Sequence, residues 1–435
     1  MDPVTIGMLS VAAIVVLVYL GLYIPVALGL VSFLSLWLMS GRPILAFNFL
    51  KVAVGDGVTE YNFATIPLFT LMGLLVSKAR LGRDIYDVMN SAFRRVLAGI
   101  GMATVGANAI FAAVTGSSIA SASVFTKIAV PQMLRYNYNK RFAVGVVAGS
   151  SVLGMIIPPS AMLIIYSFVA EVSVGDMFLA GIIPGLLLTA VYIVAIFLMA
   201  RFWPTFIGTE IQADDLPAMS GGEMVSKAWP VVALILLVLG GIYTGWLTPV
   251  EAGAAGAALA LIVALARKSI SRGEFWETLV ETGHISAAIL LLIAMASFYS
   301  RMLGYAGLPN HLDALLQGWD LSFFHIMLLY VVLMLVLGTL LDTASIILIV
   351  VPLFITLIEG MGFSLIWFGI VTVIGAEIGL LTPPLGISCF VIKSTLNDPN
   401  ISLKDVFLGS LPFAFLMLLV LIVIIQYPIL STALL

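Results

Sequence analysis

Apolar runs of about 20 residues, each closed by a short polar or glycine- and proline-marked break, recur along the whole chain, and that length spans the hydrocarbon core of a bilayer as a helix. Runs at 4–20 and 22–39 flank a tight turn at 21–25, and a polar loop is expected over 40–60. A span covers 61–77, and 78–97 is basic and amphipathic, the pattern of an interfacial helix. The next run, 98–134, is too long for one crossing and is rich in Gly, Ala and Ser at its middle. Spans follow at 142–170 and 177–200. The plan then repeats, with spans at 229–247 and 250–266, a charged amphipathic segment at 267–283 and a span at 284–300. A polar loop runs to 322, a long apolar run covers 323–358, and spans close the chain at 364–392 and 406–430.

The repetition extends to single residues. Gly21, Pro25 and Gly29 recur as Gly245, Pro249 and Gly253, all displaced by 224; Pro131 recurs as Pro352 at 221, and Pro158-Pro159 as Pro383-Pro384 at 225. Asp176 recurs as Asp405 at 229. These offsets define two repeats, 1–200 and 229–435, joined by a linker at 201–228. Basic residues bound 98–134 on both sides (Arg94 and Arg95, then Arg135, Lys140 and Arg141), so this run is expected to enter and leave the membrane on one face as a re-entrant hairpin, with 323–358 as its counterpart. Each half then has five crossings, an odd number, and the second half is inverted. With 78–97 in the cytoplasm, fifteen basic residues fall inside and three (Arg42, Lys51, Arg301) outside, as the positive-inside rule requires. Both termini come out on the outer face. The expected fold is an all-α polytopic membrane protein of two inverted repeats, with about ten transmembrane helices and two re-entrant helical hairpins. The long spans 142–170 and 364–392 are broken helices.

Composition fits only this class: 62% of residues are apolar and 9% charged, against about a quarter charged in soluble domains. The lone Cys389 excludes an intramolecular disulfide, and His284, His311 and His325 lack metal-ligand spacing. Met1-Asp2-Pro3 has neither a basic region nor a cleavage site, so the first span is expected to be retained. No zinc-protease motif, nucleophile elbow or phosphate loop is present in the sequence, which argues against an enzyme and against an ATP-driven pump.

Candidate chemistry lies where helices must break. The first hairpin carries Gly116-Ser117-Ser118-Ile119-Ala120-Ser121 at its middle, and the second carries Gly338-Thr339-Leu340-Leu341-Asp342-Thr343. Backbone that leaves helical geometry inside a membrane survives only in protein or beside a water-filled cavity, where hydroxyls and freed carbonyls suit small cations and freed helix N-termini suit anions. Close packing by small residues is the plain alternative at the first tip. Asp342, deep in an apolar run, is an expected functional carboxylate or a cap for a half-helix, and by the proline offset Ser121 is its partner. Gly154, Ile157-Pro158-Pro159-Ser160 and Gly379, Thr382-Pro383-Pro384 interrupt the two long spans, since consecutive prolines cannot stay in a helix. Glu377 precedes the second break as another intramembrane carboxylate, and Ser150-Ser151 lie at similar depth in the first half. Lys127, Asn62 and Thr65 are lesser candidates.

At these residues the chain resembles the large membrane subunit of tripartite ATP-independent periplasmic (TRAP) transporters. The resemblance rests on Ala64-Thr65-Ile66-Pro67-Leu68-Phe69, Thr115-Gly116-Ser117-Ser118, Ile157-Pro158-Pro159-Ser160, Leu341-Asp342, and Glu377-Ile378-Gly379-Leu380-Leu381-Thr382-Pro383-Pro384, and it covers nearly the whole chain. It implies sodium-coupled uptake of a small organic acid across the bacterial inner membrane. The implied motion is an elevator movement of a transport domain, holding hairpins and broken spans, against a scaffold. It implies no cofactor beyond sodium as coupling ion. It implies two partners, a small four-helix membrane subunit separate from this chain and a periplasmic substrate-binding protein. Sodium is then expected at Gly116, Ser117, Ser118, Gly154, Pro158, Thr339, Asp342, Glu377, Gly379, Thr382 and Pro383, and the acid at Ser117, Ser118, Ser121, Ser150, Ser151, Pro159, Ser160, Thr343 and Pro384. A stand-alone sodium/carboxylate symporter and an ion channel are the competing readings.

Overall fold

The structure, a computed structural model, describes residues 2–208, 219–318, 322–384 and 386–435, apart from the side chains of 56–59 and 317. The described residues are helical throughout, with one isolated antiparallel bridge between Tyr138 and Gly208. The first series comprises α1 (Pro3–Tyr19), α2 (Ile24–Ser40), α3 (Pro43–Thr59), α4 (Thr65–Lys78), α5 (Leu81–Phe93), α6 (Gly99–Thr115), α7 (Ser118–Arg135), α8 (Lys140–Ser151), α9 (Ala161–Val169) and α10 (Val174–Phe202). The second comprises α11 (Gly221–Ile235, continued through a π-helical stretch to Tyr243), α12 (Pro249–Ala266), α13 (Arg272–Ala306), α14 (Leu308–Gly318), α15 (Phe323–Gly338), α16 (Thr343–Gly360), α17 (Leu365–Gly379), α18 (Ile387–Leu396) and α19 (Leu403–Gln426). Helix starts are written locally. Capping boxes open α11 (Ser220 with Glu223), α12 (Thr248 with Glu251), α13 (Ser271 with Glu274) and α19 (Ser402 with Asp405).

Among the described residues, six helices (α10, α11, α12, α13, α16 and α19) are each long and apolar enough to cross a membrane, and the bent pairs α4–α5 (63°) and α8–α9 (43°) bring the number to eight. The helices α1 and α2 have 17 residues each. At about 1.5 Å per residue they are roughly 25 Å long, just short of the hydrocarbon core.

Four sequence expectations change. The polar loop at 40–60 is helix α3, opened by Pro43, which burns no hydrogen bond in a first turn. The amphipathic segment 267–283 and the span from 284 are one 35-residue helix, α13. Nothing breaks it between its capping box at Ser271 and Gly307, so about 50 Å of helix carries its charged first turns beyond the apolar core. The loop ending at 322 holds α14, and α11 begins at Gly221, inside the expected linker.

A helix apolar on every side can be interior or can face lipid, and burial separates the two. All residues of α8 from Phe142 to Ser151 are buried, as are all of α17 from Trp367 to Gly379. In α16, 78% of the apolar window is buried, against 22% in α11, so the second hairpin arm is inside and α11 peripheral. Large apolar side chains such as Trp37, Leu38, Leu186, Phe202 and Phe415 are exposed on the outer helices, the surface a lipid phase would cover. Backbones touch where α8 crosses α19: a Cβ on Gly145 would lie 2.1 Å from the Gly409 carbonyl oxygen. The two series also exchange partners. The helix α9 packs on α16 and α18 on α7, while α8 packs on α19 and α17 on α10.

Candidate functional site

Both long spans are broken at their proline pairs, and each break receives the tip of the preceding hairpin. The first tip is two residues long. Gly116 takes a left-handed φ of 60°, and a Cβ there would lie 2.4 Å from the Pro159 carbonyl oxygen, so only glycine lets the tip approach the break. The Ala161 N–H donates to the Gly116 carbonyl at 3.3 Å. Gly154 gives the same closeness from the other side, its virtual Cβ lying 2.8 Å from the Ser117 carbonyl. Ser117 caps α7, accepting from the Ala120 N–H at 3.3 Å, and Ser160 caps α9, accepting from the Leu163 N–H at 3.4 Å. Two helix N-termini therefore open side by side. They open onto a cavity of 290 Å³ whose wall includes Ser117, Ala120, Pro159, Ser160 and Ala161, and which α4 (Ile66, Thr70, Gly73) and α13 (Ile285, Ile289) close from opposite.

The second tip, 339–342, is longer and acidic. Asp342 caps α16, accepting from the Ser345 N–H at 3.3 Å and from the Ser345 hydroxyl. The next residue, Thr343, donates its hydroxyl to Glu377 Oε1 at 2.7 Å, tying the tip to α17 just before the break. Glu377 is fully buried, and its Oε2 has no hydrogen-bond partner among the described residues. Gly338 and Gly379 meet backbone to backbone, a Cβ on the former lying 2.7 Å from the latter's Cα. Thr339 and Thr382 line a separate cavity of 410 Å³ with Val336, Ile378 and Phe415. Their hydroxyls donate to the carbonyls of Val336 and Gly379, both at 2.8 Å. In both breaks the Pro–Pro peptide bond is cis.

The sequence-derived residues thus divide into two groups. Gly116, Ser117, Ser118, Gly154, Pro158, Pro159 and Ser160 gather at the first tip, and Thr339, Asp342, Thr343, Glu377, Gly379, Thr382, Pro383 and Pro384 at the second. Ser150 and Ser151 lie behind the first break, with hydroxyls donated to the Val146 carbonyl at 2.6 Å and the Ala148 carbonyl at 2.8 Å. Ser121 is buried on α7 with its hydroxyl unpartnered. Lys127 is exposed, Asn62 is exposed and donates to Glu60 at 2.8 Å, and Thr65 is buried with its hydroxyl unpartnered. The capping position places Ser117, not Ser121, opposite Asp342, because each is the N-cap of its returning arm.

Sequence reasoning missed how each hairpin is tied to its broken helix. Asn108 of α6 donates to Ser150 of α8 at 2.7 Å, and Tyr330 of α15 pairs with Thr372 of α17 at 2.7 Å; both pairs are 42 residues apart in sequence. A polar residue inside each outgoing arm was the only signal. The apolar wall that α4 and α13 give the first cavity left no signal at all.

An all-helical polytopic chain that seats two hairpin tips on two broken helices, each beside its own cavity, has the build of a secondary membrane transporter. The chain belongs to the family described as "Tripartite ATP-independent periplasmic transporter, DctM component", which it matches over residues 11–430. It is therefore a transport protein of the membrane and not an enzyme. It is 30% identical over 413 residues, 94% of this chain and 93% of the relative, to the C4-dicarboxylate TRAP transporter large permease protein DctM of Pseudomonas aeruginosa. It is 27% identical over 385 residues (88% of each chain) to the sialic acid TRAP transporter large permease protein SiaM of Vibrio cholerae. It is also 27% identical over 381 residues (86% of each) to the 2,3-diketo-L-gulonate TRAP transporter large permease protein YiaN of Escherichia coli. Among solved structures, the YdaH transporter of Alcanivorax borkumensis superposes with a TM-score of 0.60 at 15% identity, covering 87% of this chain and 88% of its own. MtrF of Neisseria gonorrhoeae does so with 0.53 at 14% identity, covering 98% and 94%. These two likenesses concern the fold alone.

Proposed function

We propose that the chain is the large permease subunit of a tripartite transporter that takes up a small organic acid across the bacterial inner membrane, driven by sodium. The observation that carries this reading is the 290 Å³ cavity onto which the N-termini of α7 and α9 open, because uncommitted N–H groups and the positive helix ends favour a carboxylate. The relatives' names span C4-dicarboxylates, sialic acid and a diketo-sugar acid, so small organic acid is the class assigned. The acid would lie at the first tip, against Ser117, Pro159 and Ser160, and sodium at the carbonyls and hydroxyls of both tips, with Asp342 and Glu377 supplying negative charge at the second. The partners are a small four-helix membrane subunit and a periplasmic binding protein.

The exchange of helices between the two series supports two inverted repeats, 1–200 and 229–435 with a cytoplasmic linker at 201–228 and both termini periplasmic. On this reading about ten helices cross, 98–134 and 323–358 re-enter as hairpins, and α6–α10 with α15–α19 move as one body against α1–α4, α12 and α13. Uptake of labelled organic acid into proteoliposomes holding both membrane subunits, with the binding protein added and a sodium gradient imposed, tests it. The Asp342→Ala variant should abolish sodium-driven uptake; near wild-type uptake refutes its assigned role. Uptake by this chain without a binding protein would instead assign a stand-alone symporter, and unitary currents a channel.

A further inference from the structure

A cavity of 570 Å³ lies where the α4–α5 turn meets the connection from α12 to α13, far from either hairpin tip in sequence, and cations dominate its wall: Arg80, Arg267 and Lys268, against the single carboxylate of Glu274. We propose that this cavity binds the phosphate of an anionic phospholipid from the leaflet it borders.

Three independent observations carry the assignment. The first is charge. Arg267 is paired with Asp84, and Glu274 is engaged in its capping box, accepting from the Ser271 N–H at 2.8 Å. Arg80 and Lys268 make no salt bridge among the described residues, so two cations face the cavity without a carboxylate bound to them. The second is backbone. Arg80 and Lys268 have φ of 58° and 51°, each one residue beyond the C-cap of its helix, α4 or α12. Glycine usually takes that position because a Cβ is strained there. Asn137 and Glu171 take the same conformation beyond α7 and α9, so what distinguishes Arg80 and Lys268 is that both are cations and that both line one cavity. The third is location. Ile262 and Leu265 on α12 and Trp276 on α13 flank the cavity in the adjoining turns and are 61%, 56% and 68% exposed. Acyl chains would cover such a surface, and a tryptophan sits best at headgroup level. A soluble phosphate would need the cations but no apolar rim.

Native mass spectrometry of the full chain in detergent, with phosphatidylglycerol and phosphatidylcholine added in equal amounts, tests this. Adducts should favour phosphatidylglycerol. The R80Q/K268Q variant should lose that preference by about 25-fold, the product of about fivefold for each cation at an anionic lipid surface. The R94Q/R95Q control should keep it, and about 10 mM inorganic phosphate, roughly ten times the concentration that half-fills a site of about 1 mM affinity, should leave it unchanged. The thermal midpoint of R80Q/K268Q in lipid-free detergent should equal that of the wild type, separating lost binding from lost fold. An R80Q/K268Q variant with wild-type preference, or an equal loss in R94Q/R95Q, overturns the proposal. Displacement of the lipid by inorganic phosphate would assign the site to a soluble anion instead and overturn the lipid source.

Discussion

Replacing Thr343 with valine should open the second break, and the chain carries its own reporter. The substitution keeps the side chain's shape and removes one hydroxyl, the donor to Glu377 Oε1 at 2.7 Å. Both residues are buried, Thr343 being 3% exposed and Glu377 0%, and Glu377 Oε2 already lacks a partner. Without the hydroxyl, neither carboxylate oxygen has one. A buried acceptor stripped of its donor costs about 1–3 kcal/mol, and no cavity is created to add to that. The contact joins the first turn of α16 to the last turn of α17, so the whole cost falls on the docking of the second tip against the break.

The reporter is Cys389, the single cysteine, fully buried in the first turn of α18 directly after the break. Its sulfur lies 3.8 Å from the Ser410 hydroxyl, so a maleimide reaches it only when the region opens. When opening and closing are faster than labelling, the rate follows the open population, and each 1.4 kcal/mol raises it about tenfold. Thr343→Val should therefore accelerate labelling by about 5- to 150-fold. Glu377→Gln, whose amide oxygen still accepts from Thr343, should change the rate by about fivefold at most, since a neutral acceptor's bond is worth about 1 kcal/mol less than a carboxylate's. A Thr343→Val rate within about twofold of the wild type would refute the reasoning, because the contact would then carry under about 0.5 kcal/mol.

Two further substitutions test the frame around the tips. Gly116→Ala forces a side chain into left-handed backbone and against the Pro159 carbonyl at 2.4 Å, so it should lower the melting midpoint and remove uptake, while Gly221→Ala, with nothing within 4 Å, should do neither. Equal behaviour of the two would refute the tip geometry. Asp405 joins the starts of α19 and α8 through Arg141 at 2.9 Å and Lys140 at 3.3 Å, with the cations about half exposed, at 49% and 46%. The carboxylate itself is only 8% exposed, so Asp405→Asn should cost about 1–3 kcal/mol. It should appear as a lower midpoint at low ionic strength that converges on the wild type in about 1 M salt, where the Debye length is about 3 Å.

The tips and breaks were legible because glycines, hydroxyls and proline pairs inside apolar runs have few other uses. Register was less legible. The match of Pro131 with Pro352 pairs Asp342 with Ser121, but the first tip has two residues and the second four, and the prolines sit about one helical turn apart relative to the starts of α7 and α16. Counting from the prolines thus slides the pairing by a turn, whereas counting from the N-caps recovers Ser117. The helix α3 was missed because Lys51 and Asp56 interrupt its apolar pattern, and α13 was divided because charge in its first turns reads like a separate segment when helix length is not in view. The links Asn108–Ser150 and Tyr330–Thr372 join elements whose proximity no local pattern encodes.

The corrected register sharpens the contrast between the halves. Ser117 and Asp342 cap equivalent arms with the same bond, a side-chain oxygen accepting from the N–H three residues on. At equal geometry, the second tip carries a carboxylate where the first carries a hydroxyl. The contrast deepens one step further in: Thr343 meets Glu377, whereas the offset of 225 between the proline pairs puts the apolar Val152 at the corresponding place before the first break. One frame therefore holds two chemically unequal tips. Two helix N-termini with neutral serine caps leave their positive ends uncompensated for an anion. A capping aspartate cancels that end at the second tip and, with Glu377 behind it, leaves excess negative charge to be met by a cation. On the proposed reading, the acid and its coupling ion are then sorted by one exchange of side chain at one capping position. Asp342→Ser, which restores the first tip's chemistry at the second, should abolish sodium-driven uptake as Asp342→Ala does, while α16 remains capped. Sodium-dependent uptake by that variant would place the coupling charge elsewhere.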